Sequence, residues 1–324
     1  MLLLAALLLA APYRVYVSNE ASGDVAVIEN DALVGRIPVG TRPRGLRIGP
    51  GNKLYVAVSG SPRGGPGQRD EDLPPPDRAQ DGIAVVDLAR RETIGRLPGG
   101  PDPESFDLSP DGKLLYVSNE DTAALSVVDI EASKVVRTVK VGAEPEGVTV
   151  RPDGRAVYVT CEESNEVDVI DAVTFRVLAR PKVAPRPRAV VFTGDGARAF
   201  VSAEQGAAVD VIDARRNQRI GRIAIPGAGA KPMGLALSRD GTRLFVSTGR
   251  GGTVAVIDVA ASKVLRTFEG VGPRPWGIAL SPDGDRLYTA NGPSDDVAVL
   301  DPESGRILRR ITVGKLPWGI AVAP

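Results

Sequence analysis

Residues 274–312 read RPWGIALSPDGDRLYTANGPSDDVAVLDPESGRILRRIT. A short alternating run, Trp276 to Leu280, meets the turn Ser281-Pro-Asp-Gly284, and a second run follows around Tyr288. A third ends at Asp301, and after Glu303-Ser-Gly305 a fourth begins. In the preceding copy the third and fourth runs are Val254-Ala-Val-Ile257 and Val264-Leu-Arg-Thr267. Period-2 alternation with β-branched residues reads as strand, and Pro-Asp-Gly reads as turn because proline presets φ and glycine accepts a positive one. Each unit therefore holds strands A, B, C and D, and four strands in about 42 residues is the size of one propeller blade.

The unit recurs along the whole chain. A V-x-V-[IVL]-[DE] strand, with Ile83 and Leu125 as variants, ends at Glu29, Asp87, Asp129, Asp171, Asp213, Asp258 and Asp301, at spacings of 58, 42, 42, 42, 45 and 43. An aromatic strand starts at Tyr16, Tyr55, Tyr116, Tyr158, Phe200, Phe245 and Tyr288. Prolines 43, 103, 145, 187, 232, 275 and 317 stand in the same phase. Fixed-period self-similarity of this kind identifies a repeat architecture.

The two ends complement each other. The chain stops in Trp318-Gly-Ile-Ala-Val-Ala-Pro324, a strand A alone, and residues 13–40 supply B, C and D without an A. Joining them predicts an all-β, seven-bladed propeller of four-stranded antiparallel blades, closed with the C-terminal strand innermost, which abolishes the sheet edge. The spacing of 58 places an insertion at about 59–80, containing Gly64-Gly-Pro-Gly67 and Leu73-Pro-Pro-Pro-Asp77. Its composition predicts an exposed, poorly ordered excursion with a stiff polyproline piece, a lid being the functional reading.

Composition removes several chemistries. There is no histidine among the 324 residues, so no Ser-His-Asp machinery, histidine zinc site or haem histidine can be built. Cys161 is the single cysteine, which excludes an intrachain disulfide. Forty Lys+Arg balance forty Asp+Glu, and aromatics are 4%, a poor match to the basic, aromatic-lined groove of a single-strand nucleic-acid binder. The start, MLLLAALLLAA before Pro12, reads as a truncated secretory leader over residues 1–12, with one domain from 13 to 324. It is too short to cross a bilayer of ~30 Å as a helix, and no later stretch is a candidate span.

In a propeller the D–A and B–C connections share one face, and there the copies diverge. The residues flanking the seven prolines ring its funnel: Leu316/Trp318, Arg42/Arg44, Asp102/Glu104, Glu144/Glu146, Arg186/Arg188, Lys231/Met233 and Arg274/Trp276. Two doubly acidic blades lie between two doubly basic ones, and the remaining arc carries the only two tryptophans. One reading is structural: neighbouring charges pair at the exposed rim, worth ~0–1 kcal/mol each, and the tryptophans plug the axis. The other is an anion-tolerant aromatic pocket, with Trp276 and Trp318 as stacking surface and Arg42, Arg44, Arg274 and Lys231 as charge, suited to a planar polycarboxylate.

A second ring follows strand B, including Asn19-Glu20, Asn119-Glu120, Cys161-Glu162 and Ala203-Glu204. Oxygen ligands of this type fit Ca²⁺, with Asn19, Glu20, Asn119 and Glu120 the metal candidates, although solvated turn residues read the same way. Cys161, beside Glu162 and Glu163, has nothing to lower its pKa. Glycines 45, 147, 234, 277 and 319, with Ser105 and Ala189 in the same position, fit crowding of innermost strands at the axis.

Tyr116-Val-Ser-Asn119, Tyr158-Val-Thr-Cys161 and Ser109-Pro-Asp-Gly112 resemble the YVTN-type propeller repeat over essentially the whole chain after Pro12. Ser18-Asn-Glu20, the Gly-Pro-rich insert, and the Arg274-Pro-Trp-Gly277 and Leu316-Pro-Trp-Gly319 strands resemble the PQQ-dependent catabolism-associated propellers. That resemblance implies a periplasmic accessory of quinoprotein alcohol oxidation that lacks the catalytic machinery of quinoprotein subunits, but it supplies no molecular activity. The sorted rim and the absence of a nucleophile–base pair favour a non-enzymatic, monomeric binding or scaffolding propeller whose funnel face meets a partner protein such as a quinoprotein dehydrogenase system. No resident cofactor is expected, with PQQ or Ca²⁺ the candidates if one binds. The competing function is a lactonase-like hydrolase on the same face, whose water a metal would have to activate.

Overall fold

The computed structural model describes residues 13–63 and 72–323. They form seven four-stranded antiparallel sheets. Blade 1 joins β28 (Pro317–Ala323) to β1 (Arg14–Asn19), β2 (Asp24–Glu29) and β3 (Ala32–Pro38), so the ring closes one strand plus three with the C-terminal strand innermost, as its sequence predicts. Blade 7 is β24 (Pro275–Leu280), β25 (Leu287–Asn291), β26 (Asp296–Leu300) and β27 (Ile307–Thr312). No helix among the described residues is long and apolar enough to cross a membrane. The leader and the Gly64–Gly67 part of the insertion lie outside the described residues.

Alternation decides the core. Both faces of the middle strands are covered by neighbouring blades, so β1 and β2 are buried nearly throughout, whereas β3 alternates between exposed and half-buried on the rim. The aromatic that opens each strand B is packed between blades, with Tyr16, Tyr116, Tyr158, Tyr288, Phe200 and Phe245 all at most 2% exposed. The turns behave as their residues dictate: Gly112, Gly154, Gly196, Gly241 and Gly284 have positive φ and donate their N–H to the carbonyl three residues back at 2.8–2.9 Å.

In blades 1, 3, 4, 5 and 7 the innermost strand also carries a feature that the repeat pattern does not announce. After the proline the A–B register slips, for example between Pro145↔Cys161 and Val148↔Val159. The same slip follows Pro103, Pro187 and Pro275. It is a β-bulge, and it turns the side chain after the proline toward the axis.

Candidate binding funnel

The funnel is built from the bulge outward. Behind each bulge stands the glycine layer. A Cβ on Gly147 would sit 2.1 Å from the Arg188 carbonyl oxygen, and one on Gly277 2.5 Å from that of Trp318. Axial crowding is thus real, and it brings the seven post-proline side chains together. In order round the ring they are Arg44, Glu104, Glu146, Arg188, Met233, Trp276 and Trp318. Below part of this plug lies a cavity of about 150 Å³, lined by Met233, Trp276, Trp318 and the glycine layer.

The blades are stapled through hydroxyls. Ser118 Oγ on strand B of blade 3 accepts from Ser105 N at 3.1 Å and donates to the Glu146 carbonyl of blade 4 at 2.7 Å. Thr160 donates to Arg188 O at 2.7 Å, Ser202 to Met233 O at 2.5 Å, Ser247 to Trp276 O at 2.6 Å and Ser18 to Arg44 O at 2.6 Å. Every one of these hydroxyl residues is buried. They are the third letter of the Tyr-Val-Ser/Thr motif, visible in the sequence as a repeat and invisible as a blade-to-blade bridge.

The charged ring is paired, as the structural reading has it, but it is not the exposed rim which that reading supposed. Arg44 meets Asp102 at 3.0 Å, Glu120 at 3.3 Å and Glu104 in direct contact, and the side chains of Arg44, Asp102 and Glu104 are at most 4% exposed. Arg188 meets Glu146 at 2.9 Å, Glu204 at 2.5 Å and Glu162 in direct contact. Convergence of the strands buries these groups, which raises their stakes well above surface pairs. Burial first, and the neighbouring Glu146 next, push the Glu162 carboxyl up to about 9, against the pull of Arg188 and Arg186. For Glu204 burial acts upward too, yet Arg188 outweighs it and the carboxyl stays below its ordinary value.

The pre-proline residues form an outer lip in an uncommon backbone state. Arg42, Asp102, Glu144, Arg186, Arg274 and Leu316 all have left-handed φ between 43° and 61°. Each non-glycine residue held there costs ~1–2 kcal/mol, and such strain gathers where a side chain must be aimed. In blades 1, 3, 4 and 5 the carbonyls of Leu316, Asp102, Glu144 and Arg186 accept from the N–H of Glu20, Glu120, Glu162 and Glu204 at 2.8–3.2 Å. That bond sets each strand-B glutamate beside a lip residue. Arg42 pairs with Glu20 at 3.2 Å and Arg186 with Glu162 at 2.5 Å. Glu144 is pushed up by burial and by Glu163.

Blades 6 and 7 depart from this scheme. Gly249 and Gly292 stand where blades 1, 3, 4 and 5 carry glutamate and blade 2 carries Ser59. Among the described residues no carboxylate lies within 4 Å of Lys231, Arg250 or Arg274. Burial, and then the like charges of Arg250 and Arg188, hold the Arg274 pKa below its ordinary value despite Glu204. The Arg274 guanidinium lies 4.8 Å from the Trp276 ring centre, Arg188 5.3 Å from it, and Trp318 at 5.5 Å with planes inclined 33°.

The described ends of the insertion are fastened over the acidic side of the funnel rather than free. Arg42 donates to Ser61 O at 2.7 Å, and Arg78 donates to Ser61 Oγ at 3.0 Å and pairs with Asp121. Asp81 accepts from Gly60 N at 2.8 Å and from Asp102 N at 3.0 Å. Exposed Pro74–Pro76 overhang a cavity of about 540 Å³ shared with Arg42, Asp102, Glu120 and Asp121.

The metal candidates are brought to the same face, but their side chains face protein partners. Asn19 donates to Asp24 at 2.6 Å, and Asn119 donates to Gly99 O at 2.7 Å and accepts from Ser126 at 2.6 Å. Glu20 and Glu120 face Arg42 and Arg44. Among the described residues no three acidic or sulfur groups assemble a cation site. Cys161 is fully buried, and burial raises its thiol pKa.

A seven-bladed propeller with a plugged axis and a charged, aromatic funnel defines the class. The model of the YNCE-like β-propeller family matches residues 67–155 and 150–323, and the chain belongs to that family. Among curated proteins none matches the chain. Of solved structures, the periplasmic gluconolactonase PpgL of Pseudomonas aeruginosa is similar at 22% identity, covering 97% of this chain and 99% of that one, with TM-score 0.77. Kuenenia stuttgartiensis hydrazine synthase is similar at 22% identity, covering 89% and 92%, with TM-score 0.75. A functionally unknown protein from Desulfotomaculum acetoxidans is similar at 15% identity, covering 96% and 98%, with TM-score 0.78. At these identities the likeness is one of fold, and fold alone does not carry function.

Proposed function

We propose that the chain is a non-enzymatic binding propeller of the periplasm that presents its funnel face to a partner. One observation carries this reading: carboxylates that could serve as base or cation ligand are wrapped around Arg44 and Arg188, while among the described residues Lys231, Arg250 and Arg274 have no carboxylate within 4 Å, and Arg274 lies over Trp276, which packs on Trp318. An acid-rich arc closed around Arg44 and Arg188, beside a cationic arc that among the described residues has no carboxylate within 4 Å, is a recognition surface, since charge complementarity steers a partner and sets its orientation. The resemblance of the sequence to PQQ-associated propellers supplies the setting, an accessory to quinoprotein alcohol oxidation that acts as a monomer. The test is site-specific crosslinking from Leu316, on the funnel, and from Arg239, on the opposite face, in periplasmic extract. A discrete partner joined through Leu316 alone supports the proposal; equal or absent crosslinking from both positions refutes it.

A second reading rests on Glu162. A buried carboxyl with a raised pKa in a funnel suits a general acid, and the gluconolactonase shares the fold. Hydrolysis of sugar lactones by the purified protein, lost in Glu162→Gln, would favour it over the first.

A further inference from the structure

The seven blades share one frame, so a blade that breaks the charge rule of its neighbours is informative. In blades 1 to 5 each funnel arginine finds an acid: Arg42 with Glu20, Arg44 with Asp102, Arg186 with Glu162 and Arg188 with Glu146. In blades 6 and 7 the cations remain, and Gly249 and Gly292 replace the strand-B glutamate, as Ser59 does in blade 2. The loss at Gly249 is enforced, because a Cβ there would sit 2.8 Å from the Lys231 carbonyl oxygen and 3.0 Å from Met233 Cγ. Arg274 is held at the lip by a left-handed backbone, φ 50°. Beside these cations lies the only large aromatic surface of the funnel, Trp276 against Trp318. Arg188 and Arg274 already lie over Trp276, whereas among the described residues no cation lies over Trp318. Both indoles also line the axial cavity of about 150 Å³ below the plug, but Lys231, Arg250 and Arg274 do not, so the surface beside the cations is the lip side of the indole pair.

We propose that blades 6, 7 and 1 form a site for a small planar aromatic polycarboxylate. Its ring stacks on the Trp276–Trp318 pair, and its carboxylates take the places vacated by the missing glutamates, facing Lys231, Arg250 and Arg274. Planarity is selected by the indoles, and negative charge by three cations that, among the described residues, have no carboxylate within 4 Å. The inference rests on the reading of the funnel as a binding face and adds the chemistry of what it takes.

The chain's two tryptophans are both at the site, so their emission reports it without a label. The whole protein is titrated with benzene-1,3,5-tricarboxylate, with cyclohexane-1,3,5-tricarboxylate and with an oligothymidylate, by fluorescence and by calorimetry. Saturable quenching by the aromatic acid is expected, with the cyclohexane acid at least about tenfold weaker, as loss of one stacking contact implies. Lys231→Gln with Arg274→Gln, the first half-buried and the second exposed, is expected to weaken binding about a hundredfold, two charged contacts at about tenfold each, with an unchanged melting temperature. Absence of saturable binding, equal affinity for the cyclohexane acid, undiminished binding by the double variant, or binding of the oligonucleotide alone would each overturn the proposal. Failure here with crosslinking through Leu316 intact discards only the ligand class. Binding here without a crosslinked partner discards only the scaffold.

Discussion

Arg188→Met tests the funnel's energetics. The guanidinium is surrounded by Glu146 at 2.9 Å, Glu204 at 2.5 Å and Glu162 in contact, with the Arg188 side chain 10% exposed. Methionine fills similar volume but leaves three facing carboxyls without their cation. Breaking a buried pair from one side costs about 3–5 kcal/mol, and the lost cation–π contact with Trp276 adds about 0.5–1 kcal/mol. A domain with a total stability of about 5–15 kcal/mol would lose about a quarter of it or more. The deficit must also titrate. Without Arg188 the pull that keeps Glu204 below its ordinary value and restrains the raised Glu162 is gone, so both folded-state pKa values rise and the folded protein binds extra protons. The deficit is therefore smallest near or below about pH 4.5 and grows as pH rises, by up to about 1.4 kcal/mol per unit for each carboxyl titrating. Urea denaturation at pH 5 and pH 8 measures it, with Arg188→Lys, which keeps charge without the fork, intermediate between wild type and Met. A cost below about 1 kcal/mol that does not change with pH would mean an ordinary surface pair and would refute this reasoning.

Other consequences follow from the same geometry. Because the folded-state pKa of Glu162 is raised to about 9, its contribution to stability is full below the unfolded carboxylate range and is lost as pH climbs toward 9. Glu162→Gln should thus gain on wild type as pH rises from 5 to 8, read by paired urea titrations; parallel profiles would contradict it. Ser202→Ala removes a hydroxyl that bonds Ala189 N at 3.0 Å and Met233 O at 2.5 Å, and should cost about 1–3 kcal/mol by thermal melt, against a negligible change if the hydroxyl is idle. Gly277→Ala drives a Cβ to 2.5 Å from the Trp318 carbonyl and should destabilise by at least about 1–3 kcal/mol, whereas Ser105→Ala in the equivalent place should be mild. Since the Asn19 and Asn119 amides bond protein groups, calcium should leave the melting temperature unmoved, and a rise abolished in Asn119→Ala would restore the metal reading.

The architecture was legible because it rests on local, repeated signals. V-x-V-I-D strands, Pro-Asp-Gly turns and a lone strand A at Trp318 sufficed for seven blades and their closure. The funnel's membership was legible too, since the prolines mark where each strand A begins. What could not be read was depth. Arg44 and Asp102 look like surface charges in sequence, and only convergence of the strands on a common axis buries them. The Ser118 and Thr160 bridges escaped for a related reason, because a hydroxyl reaching the next blade depends on inter-blade distance and no within-blade pattern encodes it. Gly249 and Gly292 were visible as departures from the strand-B glutamates, but their meaning needed the partners that those glutamates hold elsewhere.

The most direct test of the funnel as recognition surface reverses only its unpaired cations. Lys231→Glu, Arg250→Glu and Arg274→Glu are combined in one protein, leaving the Arg44 and Arg188 clusters intact, and partner crosslinking from Leu316 is compared with wild type. The account predicts an unchanged fold by circular dichroism and loss of the crosslinked partner. Retention of that partner at wild-type yield would contradict it.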